Sequence, residues 1–309
     1  MRVAFKAMVM CVALAGTAPQ AGATDAPRAG EPAIDISDVD RFYQLYERTR
    51  GQPTAEQLQR DYLDGGSAGL HQFAKVRRIT GEAIAANLAK HPQAYVDAKR
   101  CMAVLPNTRT RLKASLQKLV ELYPEARLPP VTITVGRGKP VGTASADTGV
   151  QIGLEALCAT EWLNPDVEDR FVHVLAHEYI HVQQVPAFVE TEQATVLESA
   201  LMEGAAEFVG ELISGEVAYL HLKHNTKGQE KAIETKFQAD MDKRDLSDWI
   251  YNSKPGNPGD LGYWVGYRIV KAYYQNASDK RQALREIIGL QDARQFLARS
   301  GWQPGVELR

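Results

Sequence analysis

Apolar residues recur every three or four positions along most of this chain, and that spacing predicts a protein built mainly from helices. Before residue 128 the pattern indicates four helical segments, at residues 38–49, 54–63, 81–101 and 108–122. Together they predict a helical N-terminal region that spans residues 35–128.

Two short segments follow a different pattern, in which branched residues alternate with others as they do in β-strands. They are residues 131–135 and 149–154, and the glycines and prolines between them indicate a loop. We therefore expect a mostly helical α+β protein whose second region, residues 129–309, contains a small antiparallel sheet. The two regions are expected to form two lobes with a cleft between them.

Residues 177–181 read His-Glu-Tyr-Ile-His, within a helix predicted from about residue 164 to Pro186. Asn164 is the expected N-cap and Pro165 the first helical residue, and Pro186 stops the helix. The positions around the motif are mostly apolar, which indicates a helix buried on nearly all sides.

The motif has the spacing of a metal site. An α-helix turns about 100° per residue, so His177 and His181 lie about 40° apart on one face, where both can bind one zinc ion. Glu178 can act as a general base toward a water on that metal. Because buried ionisable groups need partners, a metal is the simplest way to satisfy all three. The alternative is a chance motif on a surface helix.

A third protein ligand is expected from the next helix, predicted at residues 191–214 and ended by Gly215. Glu203 is the candidate, because the small side chains that follow it let the two helices approach closely. Glu207, one turn further on, can accept the free N–H of a ligand imidazole. The alternative is that both glutamates are ordinary solvated residues of a helix.

Three other histidines are not assigned as ligands. His173 lies one turn before His177, but its offset of about 80° from His181 points it away from a shared ion, so we expect a hydrogen-bonded structural role. His221 and His224 lie in a polar stretch and are expected to be exposed.

The order of these motifs resembles the gluzincin metallopeptidases, in which His-Glu-x-x-His is followed by a glutamate ligand on a downstream helix. Glu203-x-x-x-Glu207 is similar to the Glu-x-x-x-Asp of thermolysin-like enzymes, with a longer side chain at its end. Glu203-Gly-Ala-Ala is similar to the Glu-Gly-x-Ala of alanyl-aminopeptidase-like enzymes.

Residues from about 36 to 275 also resemble an uncharacterised bacterial family of predicted secreted zinc-dependent proteases. The zinc motifs carry that resemblance, together with residues 62–67, the Gly-rich stretch before 151–154, and residues 262–266. The resemblances imply a zincin-like catalytic unit with one Zn²⁺ ion on His177, His181 and Glu203. They also imply that residues 149–154 form an edge strand, which binds extended substrate by main-chain pairing. A plain hairpin is the alternative.

Tyr263 is the candidate donor to the oxyanion that forms during amide hydrolysis. Tyr263-x-x-Gly266 is similar to the Tyr-x-x-Gly of alanyl-aminopeptidase-like enzymes, where the tyrosine has that role. It begins an apolar helix that Asp260 is expected to cap. Tyr267, one turn later, shares its face, and a core position is the alternative for both tyrosines.

The N-terminus predicts export. Residues 1–23 combine early basic residues, an apolar core and a small-residue cleavage site, which together are typical of a signal peptide. Residues 24–34 predict a disordered linker. A periplasmic or secreted location follows, and no later apolar stretch is long enough to span a membrane.

Charge and cysteines add two further expectations. Removing Arg2 and Lys6 with the signal leaves 34 of the 36 basic residues against 38 acidic ones, a net charge of −4 that disfavours nucleic acid as a partner. Cys101 and Cys158 are expected either to form a disulfide in an oxidising compartment or to stay reduced and buried.

The sequence therefore predicts a secreted zinc peptidase that acts on peptide or protein substrates. Two alternatives stay open: a zinc-binding secreted protein without turnover, and a metallohydrolase of a non-peptide amide or ester. Glu178 favours an enzyme, since a purely structural zinc site does not need it. The choice between endopeptidase and aminopeptidase, and the oligomeric state, stay open.

Overall fold

The computed structural model describes residues 32–139, 141–253 and 259–309. It is mostly helical with one small sheet, so the α+β expectation is confirmed. The N-terminal helices are α1 (Ser37–Arg48), α2 (Ala55–Gln57), which continues as a π-helix (Leu58–Leu63), α3 (Ala68–Arg77), α4 (Gly81–Lys90), α5 (Pro92–Cys101), which continues as a 3₁₀ turn (Met102–Val104), and α6 (Leu105–Leu122).

Two features of this region differ from the sequence prediction. The single helix expected at residues 81–101 is two helices, because Pro92 cannot donate a main-chain hydrogen bond and instead starts α5. α3 was not predicted; it follows the N-cap Ser67 and ends where Arg78 adopts a left-handed conformation.

The sheet is mixed rather than antiparallel. Its strands are β1 (Ile34–Asp35), β2 (Val131–Thr134), β3 (Gly142–Ser145) and β4 (Gly149–Gly153), in the spatial order β1-β2-β4-β3. β2 pairs in parallel with both β1 and β4, and only β3 and β4 are antiparallel. β3 lies within the segment between residues 135 and 149 that was predicted to be a loop. After β3 the chain turns back, so that β4 runs parallel to β2.

This order corrects the predicted edge strand. β4 lies between two neighbours, so residues 149–153 are interior, and β3 is the strand at the edge beside the zinc-motif helix. β3 reads Gly-Thr-Ala-Ser and contains a single branched residue, so the pattern of alternating branched residues did not reveal it.

The remaining helices form the second region. They are α7 (Leu154–Cys158), α8 (Val167–Gln183), α9 (Pro186–Val189), α10 (Val196–Ser214), α11 (Leu220–Asn225), α12 (Glu230–Asp240), α13 (Leu261–Asn276), α14 (Lys280–Ile288) and α15 (Ala293–Ser300). α10 is the central element, since it packs against both α8 and α13.

Two glycines allow the backbones of α10 and α13 to touch. A Cβ on Gly204 would lie 2.1 Å from the carbonyl carbon of Gly266, and one on Gly266 would lie 1.7 Å from the carbonyl oxygen of Ala200. Any side chain at either position would push the helices apart. Gly204, the first of the small residues after Glu203, therefore serves a close approach to α13, whereas the sequence predicted that these residues bring α10 close to α8.

The predicted signal peptide, residues 1–23, lies outside the described residues. The predicted linker, residues 24–34, is described only from Pro32, and β1 begins at its last residue. β1 pairs with β2, so the two predicted regions share one sheet across the boundary expected at residue 128. Within the described ranges no helix has the length and apolar character needed to cross a membrane.

Cys101 and Cys158 form a disulfide, with their Cα atoms 6.2 Å apart. The bond joins the end of α5 to the end of α7 across 57 positions of sequence. A crosslink closing a loop of that length stabilises a fold by about 4 kcal/mol in the chain-entropy account.

We expect Gly204→Ala to lower the free energy of unfolding by about 3 kcal/mol, because the new methyl group overlaps the α13 backbone. Gly210→Ala is the matched control on the same helix, since a Cβ there would lie 3.4 Å from the nearest atoms, the backbone of His177. Its effect should stay within about 1 kcal/mol. Denaturant unfolding of both variants measures the difference, and equal losses would contradict the packing account.

Candidate metal centre

α8 carries the His-Glu-Tyr-Ile-His motif in a buried setting. Its N-cap is Asp166 and not the predicted Asn164, because the Asp166 carboxylate accepts the N–H of Asp169 at 2.8 Å. Pro165 consequently lies before the cap. The helix ends at Gln183, three residues before Pro186.

α10 begins later than predicted, after the N-cap Thr195. The Thr195 hydroxyl accepts the N–H of Glu198, and the Glu198 side chain in turn accepts the N–H of Thr195, a capping box that the sequence analysis overlooked. The helix ends as predicted at Gly215, whose φ of 104° suits glycine. Its carboxylates at Glu203 and Glu207 are buried, so the alternative of solvated helix residues is wrong.

The structure brings one atom from each of the three predicted ligands into a small triangle. Nε2 of His181 lies 3.2 Å from Nε2 of His177 and 3.2 Å from Oε2 of Glu203. Nε2 of His177 lies 3.3 Å from the same carboxylate oxygen.

These distances suit a tetrahedral zinc site. Nitrogen and oxygen ligands about 2.0–2.1 Å from a tetrahedral zinc lie about 3.3 Å from one another. Two imidazoles and a carboxylate are also the donor set of many catalytic zinc sites, which leave the fourth position for water or substrate. The residues present therefore fit zinc, in agreement with the expected cofactor.

Burial and the charges of neighbouring groups act in opposite directions on the pKa values of this cluster. Burial alone would lower the pKa of His177, but its close contacts with Glu203 and Glu207 and their charges raise it to about 10. Burial would raise the pKa of Glu203, but the charges of His181 and His177 and their hydrogen bonds hold it well below its usual value.

Each imidazole is also held through its second ring nitrogen. Nδ1 of His177 lies 2.7 Å from Oε1 of Glu207, the residue expected from the sequence, but the two atoms are not aligned for the expected hydrogen bond. The other Glu207 oxygen accepts the N–H of Tyr219 at 3.3 Å. Nδ1 of His181 lies 2.8 Å from Oε1 of Gln184. With these acceptors on the Nδ1 side, both rings turn Nε2 toward the cluster.

Gln184 was missed by the sequence analysis. It follows the end of α8, and its side-chain amide donates to the carbonyl of Met202 on α10 at 2.7 Å. It therefore connects the ligand His181 to the helix that carries Glu203. Its position three residues after the ligand His181 could have indicated this contact, but a glutamine at the end of a helix is not specific to a metal site.

Tyr251 is a second residue that the sequence did not indicate. Its hydroxyl donates to Oε1 of Glu203 at 3.1 Å, and its φ of 58° is unusual for a residue other than glycine. Next to it, the N–H of Asn252 donates to the Asp260 carboxylate at 2.8 Å. Asp260 is the N-cap of α13 by position, but its carboxylate makes this contact and does not cap the helix as predicted.

Tyr263 lies beside the cluster, with its ring stacked nearly parallel to His177 at a centroid distance of 6.2 Å. Burial raises the pKa of its hydroxyl well above the usual value, as does the charge of Glu203, so the group stays a donor. Tyr267 faces elsewhere: its hydroxyl donates to Glu211 at 2.8 Å. The structure thus separates the two tyrosines that the sequence placed on one face.

Glu178 and the three candidate ligands open into a common cleft of about 440 Å³. Tyr219, Tyr251 and Tyr263 also line it, as does β3 at residues 142–144. Glu178 is only partly buried, and its side chain makes no hydrogen bond to any residue in the described part of the chain. Its carboxylate is therefore available to a water or substrate in the cleft.

His173, His221 and His224, which were not predicted to bind metal, lie in different surroundings. Nδ1 of His173 lies 2.8 Å from the Ser214 hydroxyl, so the predicted structural role is confirmed. His224 is exposed as predicted, but His221 is half-buried against Trp162, with ring centroids 4.8 Å apart. Burial lowers the pKa of His221 to about 4.

Comparison with known proteins bears on this site. Residues 156–288 match a family model described as "Predicted Zn-dependent protease (DUF2268)". That stretch resembles a family of zinc proteases. It contains α8, α10 and α13, and so all the residues of the candidate centre, but it spans less than half of the chain. No curated protein and no solved structure matches the chain.

Zinc binding is expected to release protons. Contacts with Glu203 and Glu207 and their charges raise the pKa of His177 to about 10 against the effect of burial, so this imidazole carries a proton at pH 7 that zinc must displace. Because a metal binds neutral imidazole, apparent zinc affinity should rise as the pH increases toward 10. Calorimetry in buffers of different ionisation enthalpy should detect at least about one proton released per zinc at pH 7. Zinc binding without proton release would contradict this account.

Proposed function

We propose that this protein is a secreted zinc-dependent peptidase of the gluzincin type, with one Zn²⁺ ion held by His177, His181 and Glu203. The observation that carries the proposal is the triangle of 3.2, 3.2 and 3.3 Å formed by their three side-chain atoms. The family match supports the same chemistry. Glu178, which supplies no atom to that triangle, lines the same cleft.

Zinc in this site would activate a water and polarise a substrate carbonyl. Glu178 takes a proton from the attacking water and delivers it to the leaving nitrogen. Glu207 and Gln184 hold the two imidazoles in the orientation that presents Nε2. Tyr263, which lines the cleft, donates to the developing oxyanion. Tyr251 fixes the Glu203 carboxylate through its second oxygen.

Export is part of the proposal. A disulfide between Cys101 and Cys158 suits an oxidising compartment, in keeping with the signal peptide proposed for residues 1–23. The proposed substrate is a peptide or protein. A metallohydrolase of another amide or ester would use the same residues, and a zinc-binding protein without turnover would not need the available carboxylate of Glu178.

Glu178→Gln should keep zinc and lower kcat by about 100- to 10,000-fold, since the amide cannot accept the proton. Glu168→Gln is the matched control on the same helix, because Glu168 pairs with Arg111 outside the cleft. Glu203→Ala, by contrast, should lose zinc itself. Peptide cleavage followed by mass spectrometry, with metal analysis of each variant, measures these effects. Full turnover by Glu178→Gln would rule out its role as the base.

Substitutions of Tyr251 and Tyr263, two of the three tyrosines that line the cleft, should change different properties. Tyr263→Phe should lower kcat by about 100-fold with zinc retained, because it removes an oxyanion donor. Tyr251→Phe should weaken zinc binding by about 10- to 100-fold, because it frees Glu203. Tyr267→Phe is the control, as its hydroxyl contacts Glu211 instead. Kinetics together with zinc titration separate the roles, and identical effects of the first two variants would contradict them.

A further inference from the structure

Arg77, the last residue of α3, reaches the candidate catalytic cleft from the N-terminal region. Among the described residues that line the cleft it is the sole lysine or arginine. The other charged groups there are the histidines and the carboxylates of Glu178 and Glu203, which the proposed function already assigns. The proposed function gives no role to the positive charge of Arg77.

The guanidinium of Arg77 lacks an anionic partner. Its Nη2 donates to the carbonyl of Gly142 at 2.7 Å, but its Nε is shielded from solvent and has no acceptor. No carboxylate oxygen of the described residues lies within ion-pair distance of it. A shielded donor without an acceptor is costly, and a carboxylate is the group that matches a guanidinium best, through paired hydrogen bonds.

The position of Arg77 relative to β3 indicates where such a carboxylate would lie. The N–H of Gly153 donates to the carbonyl of Val141. In an antiparallel pair the residues that face the neighbouring strand with their main-chain groups alternate with those that face away, so the main-chain groups of Thr143 face β4. Those of Gly142 and Ala144 therefore face the open edge of the sheet. Arg77 donates a hydrogen bond to the Gly142 carbonyl, while the main-chain groups of Ala144 remain available to an added strand. An extended chain pairing with this edge would therefore meet the guanidinium at the Gly142 end.

We propose that Arg77 binds a carboxylate of the substrate, so that the enzyme prefers peptides with an acidic group near the cleaved bond. The carboxylate is either an Asp or Glu side chain or a free C-terminus, which present the same chemistry. This inference rests on the proposed peptidase function. Arg77 lies outside residues 156–288, so the preference would be a property that the family match does not describe.

The test compares matched peptides. One set differs only by Asp against Asn or Glu against Gln at each position near the cleaved bond, and another by a free or amidated C-terminus. The wild-type protein should favour the acidic member by about 10- to 100-fold in kcat/KM. Arg77→Met should reduce that ratio to about 1, and Arg77→Lys, which keeps the charge without the planar fork, should restore part of it.

Arg78→Met is the matched control, because it removes the same charge from the adjacent, exposed position and should leave the ratio unchanged. Discrimination confined to the C-terminus identifies the terminal carboxylate as the group bound, and discrimination at internal positions identifies an acidic side chain. A wild-type ratio near 1, or an unchanged ratio in Arg77→Met, would overturn the assignment of Arg77.

A binding measurement separates this inference from the proposed function. Zinc-loaded Glu178→Gln protein, with and without Arg77→Met, is titrated with N-acetylglutamate and with N-acetylglutamine amide. Tighter binding of the acid that depends on Arg77 would support carboxylate recognition even if no peptide is cleaved. If the wild-type protein cleaves none of the peptides, only the peptidase proposal is overturned. If Arg77→Met does not change the preference for N-acetylglutamate over N-acetylglutamine amide, only the proposed carboxylate recognition by Arg77 is overturned.

Discussion

The close contact of α10 with the helices on both sides of it determines where every candidate ligand lies. Gly204 brings its backbone against Gly266 of α13, and at Gly210 a Cβ would lie at ordinary contact distance, 3.4 Å, from the backbone of α8 at His177. With α10 packed beside α8 in this way, Glu203 and Glu207 reach both ring nitrogens of His177. A wider separation of α8 and α10 would place the carboxylates out of reach of the motif helix, so the chemistry of the site depends on this helix packing.

The polar cluster at this contact is buried in an otherwise apolar core, and its members lie against one another. Glu207, Gln184 and Tyr251 each hold one of the three candidate ligands through the atom that faces away from the triangle. The atoms that face inward, Nε2 of both histidines and Oε2 of Glu203, lie 3.2 to 3.3 Å from one another. At that distance the partial negative charges of the two imidazole nitrogens repel each other unless a proton or a cation lies between them. The same arrangement that raises the pKa of His177 therefore prepares the site for a metal.

Local spacing explains what the sequence could predict. One helical turn between His177 and His181, and one between Glu203 and Glu207, place each pair on a single face whatever the rest of the chain does. Tyr251, Gln184 and Arg77 reach the site only through tertiary packing, from a loop, a helix end and a helix that the pattern did not reveal. The strand order likewise depends on how the chain crosses the sheet, which the alternation of residues does not determine.

The most direct test of the central claim is a crystal structure of the zinc-loaded protein with anomalous diffraction collected on both sides of the zinc absorption edge. The account predicts one strong zinc peak about 2 Å from Nε2 of His177, Nε2 of His181 and a carboxylate oxygen of Glu203. A peak held by other residues, or no peak at this triangle in the presence of saturating zinc, would contradict it.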